Sequence, residues 1–130
     1  NGYAPLALLA GLQAARPASL GGEPERARVG MEDVIRRSER KNLMYLVLEA
    51  RLIAVALQDR ALFQRLLQEV LDAGDVDPLN RLQNQLAKRR ARRYLAQIED
   101  LFIPQDPPAA AGANPCGGGQ TPPANPCAAH

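Results

Sequence analysis

Residues 82–102 of the chain, LQNQLAKRRARRYLAQIEDLF, pass through 21 positions without a glycine or a proline. Leucine, alanine, arginine, lysine and glutamine dominate the run, and these residues lose little freedom on entering a helix. Asp77 stands where an N-cap belongs, Pro78 suits the first helical position, and Pro104 cannot continue the element. The run therefore predicts one long amphipathic helix from Pro78 to Phe102, roughly 37 Å at 1.5 Å per residue. Any fold for this chain has to find a partner for one face of it.

Proline and glycine cut the remainder into further helical pieces. A first helix is expected from about Pro5 to Arg16, with Leu6, Leu9 and Leu12 forming its apolar stripe and Pro17 ending it. After the turn at Leu20-Gly21-Gly22, Pro24 opens a second helix that presents Ala27, Met31, Val34 and Ile35 on one narrow face. The third piece, Leu43 to about Ala56, is apolar almost all the way round, so other helices must cover it on several sides. Asp59 is placed to cap a fourth helix carrying Leu62, Phe63, Leu66, Leu67, Val70 and Leu71, which Gly74 closes. No run shows the strict alternation of a strand. The expected fold is all-α, built from antiparallel helical hairpins. The spacing of Ala27, Met31 and Val34 also matches the second helix of a tetratricopeptide unit, an α/α repeat, although no second copy follows at that repeat's period.

Residues 104–130 contain no Leu, Ile, Val, Met, Phe, Tyr or Trp. A segment of Pro, Gly and Ala cannot offset the entropy of ordering, so the expected division is a helical domain over 1–103 and a disordered tail over 104–130. The tail repeats Ala-Asn-Pro-Cys at 113–116 and 124–127. Cys116 and Cys127 would close a small disulfide loop in an oxidising compartment or stay as free thiols, and both readings are open. With His130 they do not make the four-ligand set of a zinc site, so no metal is expected. The chain begins at Asn1, without an initiator Met or an apolar signal segment, and is expected to be a fragment of a longer protein. The nearest approach to a membrane span, Leu43 to Leu57, is short and interrupted by Glu49 and Arg51.

The chemistry on offer is sparse. Before the tail there are two serines, Ser19 and Ser38, and no Thr, Cys or His. That inventory argues against hydrolytic triads and thiol catalysis, and neither a phosphate-cradling loop nor a metal-binding helix motif is present. An interaction protein without cofactor is expected instead of an enzyme. Net charge is +2, too balanced to announce nucleic acid or an anionic membrane. The cluster Lys88, Arg89, Arg90, Arg92 and Arg93 fans across about 200° of a helix, with a solvated face as its plain reading, an acidic partner as the functional one and nucleic acid as the alternative. Arg89 and Arg93 point outward as partner-binding candidates. Arg90 is expected to turn toward the arc of Leu79, Leu82 and Leu86 as a structural residue that needs a carboxylate or carbonyls. Asn84, on the direction of Leu95 and Phe102, either satisfies backbone groups or touches a ligand. Glu49, inside the apolar third helix, is expected to be structural through an ion pair with an arginine of an adjacent helix, and Arg51 to reach the rim.

Three blocks resemble the T-component family of TRAP-T transporters, the tripartite ATP-independent periplasmic systems. They are Gly21-Gly22-x-Pro-Glu-Arg-Ala, the run from Ala56 to Leu71 with its Gln-Asp-Arg turn, and Leu82 to Phe102. The resemblance maps the family's Gln-Asp-Arg onto Gln58-Asp59-Arg60, its Asn onto Asn84 and its Arg-Ala onto Arg90-Ala91. It departs at Lys88, where the family often has Gln, at Arg93, where an aromatic is common, and at Tyr94, where Leu is usual. It implies the C-terminal half of a helical, tetratricopeptide-like periplasmic scaffold, lipid-anchored through an N-terminal part outside this sequence. The implied partner is the solute-binding P-component of the transporter, with its small organic ligand and a homo-oligomer as further implied partners. Asp59, Arg60, Asn84, Arg89 and Arg93 are then the partner- or ligand-binding candidates.

Overall fold

The computed structural model describes residues 2–104, and every regular element among them is helical. The fold is all-α, as the sequence pattern requires. The expected disordered tail from 105 onward, with the Cys116 and Cys127 pair, lies outside the described residues. Helix α1 (Ala4–Ala15) leads through a 3-10 turn (Ala18–Leu20) to α2 (Pro24–Arg37). Helix α3 (Leu43–Leu48) continues without a break into a π-helical turn (Glu49–Ala54). Helix α4 (Arg60–Asp72) follows, then a 3-10 turn (Pro78–Asn80), α5 (Arg81–Ala96) and the short α6 (Ile98–Leu101).

The helix ends are set by the residues the sequence offers. Asn42 caps α3 by accepting from the Met44 N–H at 3.1 Å, and Asp59 caps α4 by accepting from the Leu62 N–H at 2.9 Å. Proline occupies the first turn of α1, α2 and the 3-10 turn before α5. In α2, Glu25 lies in the first turn and Arg36 and Arg37 in the last, each on the favourable end of the helix dipole.

The core sits around α3 and its π-helical continuation, against which α1, α2, α4 and α5 all pack. Leu43, Tyr45, Leu46, Val47, Ala50, Ile53 and Ala54 are buried there, as an all-round apolar helix demands. The inward face expected of α2 (Ala27, Met31, Val34, Ile35) is buried too, and so is that of α4 (Leu62, Phe63, Leu66, Leu67, Val70) except for Leu71, which is half-buried. Phe63 meets Phe102 edge to face, with ring centroids 5.1 Å apart.

Two faces differ from expectation in the same way. In α1 the buried residues are Ala7, Ala10, Gly11 and Ala14, while Leu6, Leu9 and Leu12 of the expected stripe are exposed. In α5 the buried residues are Asn84, Ala87 and Ala91, while Leu79 and Leu82 are 95% and 82% exposed. Small residues bring a backbone closest to its neighbour, and the core rewards that approach. At Gly11 an added Cβ would stand 2.8 Å from the Leu52 Cδ1, which shows how tightly α1 is seated. Arg90, expected to be drawn into the leucine arc, is exposed because that arc itself faces outward, and its Nη1 lies 3.7 Å from the Met44 sulfur instead of on a carboxylate.

The closing helix is also not continuous to Phe102. It ends at Ala96, Gln97 turns with φ −103° and ψ 14°, and α6 resumes at Ile98. Neither glycine nor proline causes this break. It coincides with a change in the inward residues from Ala87 and Ala91 to the larger Ile98 and Phe102.

This packing predicts opposite responses to two substitutions on α5. Ala91→Leu should overpack the contact and lower stability by about 1–3 kcal/mol, whereas Leu82→Ser should stay within about 0.5 kcal/mol of the parent. Urea denaturation followed by circular dichroism distinguishes them, and a destabilising Leu82→Ser with a silent Ala91→Leu would reverse the helix phase.

Candidate functional site

Three parts of the surface carry the residues of interest: a joint around Gln58 to Arg60, the outer face of α5, and a charged cleft beside Glu49. At the joint, Gln58 adopts the left-handed conformation with φ 53°. Its side-chain amide donates to the Val55 carbonyl at 2.9 Å, and its Oε1 accepts from the Ile103 N–H at 2.9 Å, fastening the chain beyond α6 to the turn before α4. Asp59 is occupied as the α4 cap. Arg60 pairs with Glu99, its Nη1 to Oε2 at 3.1 Å. All three residues of the Gln-Asp-Arg turn thus bond within the fold, two of them to the closing segment, which is why these distant blocks belong together.

Asn84 is 4% exposed. Its Oδ1 accepts from the Leu43 N–H at 2.9 Å and its Nδ2 donates to the Lys41 carbonyl at 2.9 Å, so one amide ties α5 to the start of α3. This is the backbone-satisfying alternative, and it removes Asn84 from any solvent-facing contact.

The basic cluster is divided by the fold. Lys88 donates to the Ala73 carbonyl at the end of α4, and Arg90 lies against Met44. Arg89 and Arg93 are exposed. They share a helix face with Leu82 and Leu86, at spacings of four, three and four residues, opposite the buried Ala87 and Ala91. Across from α5, Leu8 of α1 is also exposed, and a groove of about 390 Å³ runs between the two helices with Met44 and Leu48 along it. Arg51, half-buried, places its guanidinium 5.8 Å from the centre of the Tyr94 ring, a cation–π contact at the rim.

Glu49 opens the π-helical turn and is 2% exposed. The ion pair expected for it does not form among the described residues. Arg28 is held by Glu32 at 2.9 Å, and Arg40 is chelated by Glu69 at 2.7 and 2.8 Å, so these two neighbouring guanidiniums already have carboxylates. Burial pushes the Glu49 carboxyl up to about 7, helped by the negative charge of Glu32 and opposed by Arg28, Arg40 and Arg65. The cleft beside it, about 530 Å³, lies between α2 and α4. Glu49 stands out in the amino-acid sequence but this cleft does not, because its walls come from segments far apart in the chain. Among the described residues no cluster of His, Cys, Asp and Glu could hold a metal ion. None of their helices is long and apolar enough to cross a membrane.

Helices joined by polar contacts of this kind define an all-α domain. Residues 3–102 match the family model described as the TRAP transporter T-component, and the chain belongs to that family. It is thereby a component associated with a transporter, in a family that is not an enzyme family. No curated protein and no solved structure matches the chain.

Two predictions follow from these contacts. Asn84→Ala strands a backbone N–H and a carbonyl at the α3–α5 contact and should cost about 2–4 kcal/mol, read as a fall in the urea midpoint. For Glu49, the folded protein holds its proton up to about 7 whereas the unfolded chain releases it near the ordinary glutamate value of 4.5. The folded state therefore binds more protons in that window, and this group's contribution to stability is full below about 4.5 and is lost as pH rises through 7. Glu49→Gln removes that loss and should gain about 1–3 kcal/mol on the parent between pH 5 and pH 8. Parallel stability profiles for the two proteins would contradict it.

Proposed function

We propose that this chain is a non-enzymatic periplasmic scaffold that binds the solute-binding P-component of a TRAP-type transporter through the outer face of α5 and the groove beside α1. A tetratricopeptide-like arrangement of the helical hairpins and a lipid anchor in a part of the protein preceding Asn1 belong to the same reading. Family membership supports the transporter role. The observation that carries the interface is the set of large leucines left uncovered on the two helices that border this groove, Leu8 on α1 with Leu82 and Leu86 on α5. Exposed large apolar side chains edged by charge suit a protein contact, with an apolar centre and a polar rim. Arg89 and Arg93 lie on that rim and suit an acidic patch on the partner.

The two elements of this surface should act on different rates. Leu82→Glu with Leu86→Glu places charge in the apolar centre and should weaken binding of the transporter's P-component at least tenfold, or about 1.4 kcal/mol. The melting midpoint should hardly move, since both side chains already face solvent. Arg89→Glu with Arg93→Glu should chiefly slow association, and more so at low salt. Biolayer interferometry at two ionic strengths measures both. Undiminished binding by the leucine pair places the interface elsewhere, and no binding by the parent ends the P-component reading.

A further inference from the structure

The cleft between α2 and α4 contains charges that are already matched and two groups that are not. Asp33 is bonded by Arg36 at 2.5 Å and by Arg37 at 2.6 Å, Glu32 by Arg28, and Glu69 by Arg40. Glu49, from the π-helical turn, and Arg65, from α4, line the same cleft, and neither enters an ion pair among the described residues. Facing elements thus present an unpaired acid and an unpaired base that do not reach each other. No buried polar atom among the described residues is sealed away without a partner, so the Glu49 carboxyl, unbonded in the fold, is reached from the cleft. The π-helical turn is an independent sign, because the register cost of a π turn is most often retained where it aims a side chain at a functional site.

From this geometry we infer that the α2–α4 cleft is a binding site for a small zwitterionic solute, with a cationic nitrogen on Glu49 and a carboxylate on Arg65. A buried carboxyl gains most from an N–H donor that brings a positive charge, and an unpaired guanidinium at the rim offers a forked partner for a carboxylate. The volume of about 530 Å³ is within the range of small-molecule sites. The charges around Glu49 are Arg28, Glu32, Asp33 and Arg36 from α2, Arg40 from the turn after it, and Arg65 and Glu69 from α4; α1 brings none. All but Arg65 and Glu49 are matched internally. The inference does not depend on the P-component contact, which uses α1 and α5.

Isothermal titration of the full chain with glycine, 4-aminobutyrate and 6-aminohexanoate spans the unknown separation of the two charges. Butylamine and butyrate, the separate halves, are the controls. At pH 8 at least one amino acid should bind at least tenfold more tightly than either half. Glu49→Gln and Arg65→Ala should each remove that advantage while both variants keep the parent's helical circular-dichroism spectrum. Because the solute takes the ionised carboxyl, affinity for the parent should fall about tenfold per pH unit below 7, and this slope should vanish in Glu49→Gln. No advantage for any amino acid over its halves, an advantage that survives both substitutions, or tighter binding on acidification would each overturn the assignment.

Discussion

Everything in this molecule is arranged around the need to keep α3 and its π-helical continuation dry. A helix that is apolar on nearly every side has no face to offer water, and the hydrophobic gain is realised only when neighbours enclose it. Helices α1, α2, α4 and α5 do so, and Leu46 and Ile53 at its centre are fully buried. The second-layer features follow from this enclosure. The Asn84 bridge holds α5 to the start of α3, and the Gln58 fastening holds the segment after α6 beside the turn into α4. Each satisfies backbone groups where the enclosing elements meet, since an unpaired polar group at such a place is costly.

The enclosure has a consequence for the outer surface. Helices α1 and α5 approach the centre with alanine and glycine, so their leucines are turned away from the core that would otherwise hold them. The core is thus completed with small side chains, and large apolar ones remain for another surface. That division of labour suits a scaffold, whose stability and whose contact area then rest on different residues of the same helix. It also separates the two proposed sites: the leucine face lies on α1 and α5, while the Glu49 cleft opens between α2 and α4.

Among the described residues, Glu49 is where enclosure conflicts with local chemistry. A carboxyl inside the central helix is desolvated, the arginines around it other than Arg65 are bound to Glu32, Asp33 and Glu69, and its pKa is raised toward neutrality as a result. A purely structural helix would be more stable with a leucine or glutamine there. The persistence of an acid at the π-helical turn, open to a cleft with one unpaired guanidinium, is a cost consistent with ligand binding.

Much of this was legible in the amino-acid order alone. The all-α class, the caps at Asp59 and Asp77, the inward faces of α2 and α4 and the central place of the third helix all follow from periodicity and from the short-range chemistry of proline, aspartate and asparagine, which act within a turn of where they stand. The blocks around Gln58-Asp59-Arg60 and Leu82 to Phe102 also pointed to the transporter family. What periodicity could not supply was the phase of α1 and α5, because each has two candidate faces, one of leucines and one of alanines, and hydrophobicity favours the wrong one. Only the tertiary structure chose, since the separation of helix axes depends on the residues of both partners: Gly11 against Leu52, Ala10 against Gly30, Ala87 and Ala91 against the core. The break at Gln97, the joint that occupies Arg60 with Glu99 and the unpaired state of Glu49 were likewise decided there. In each case the deciding neighbour lies far away in the chain, and a local pattern contains no record of its distance.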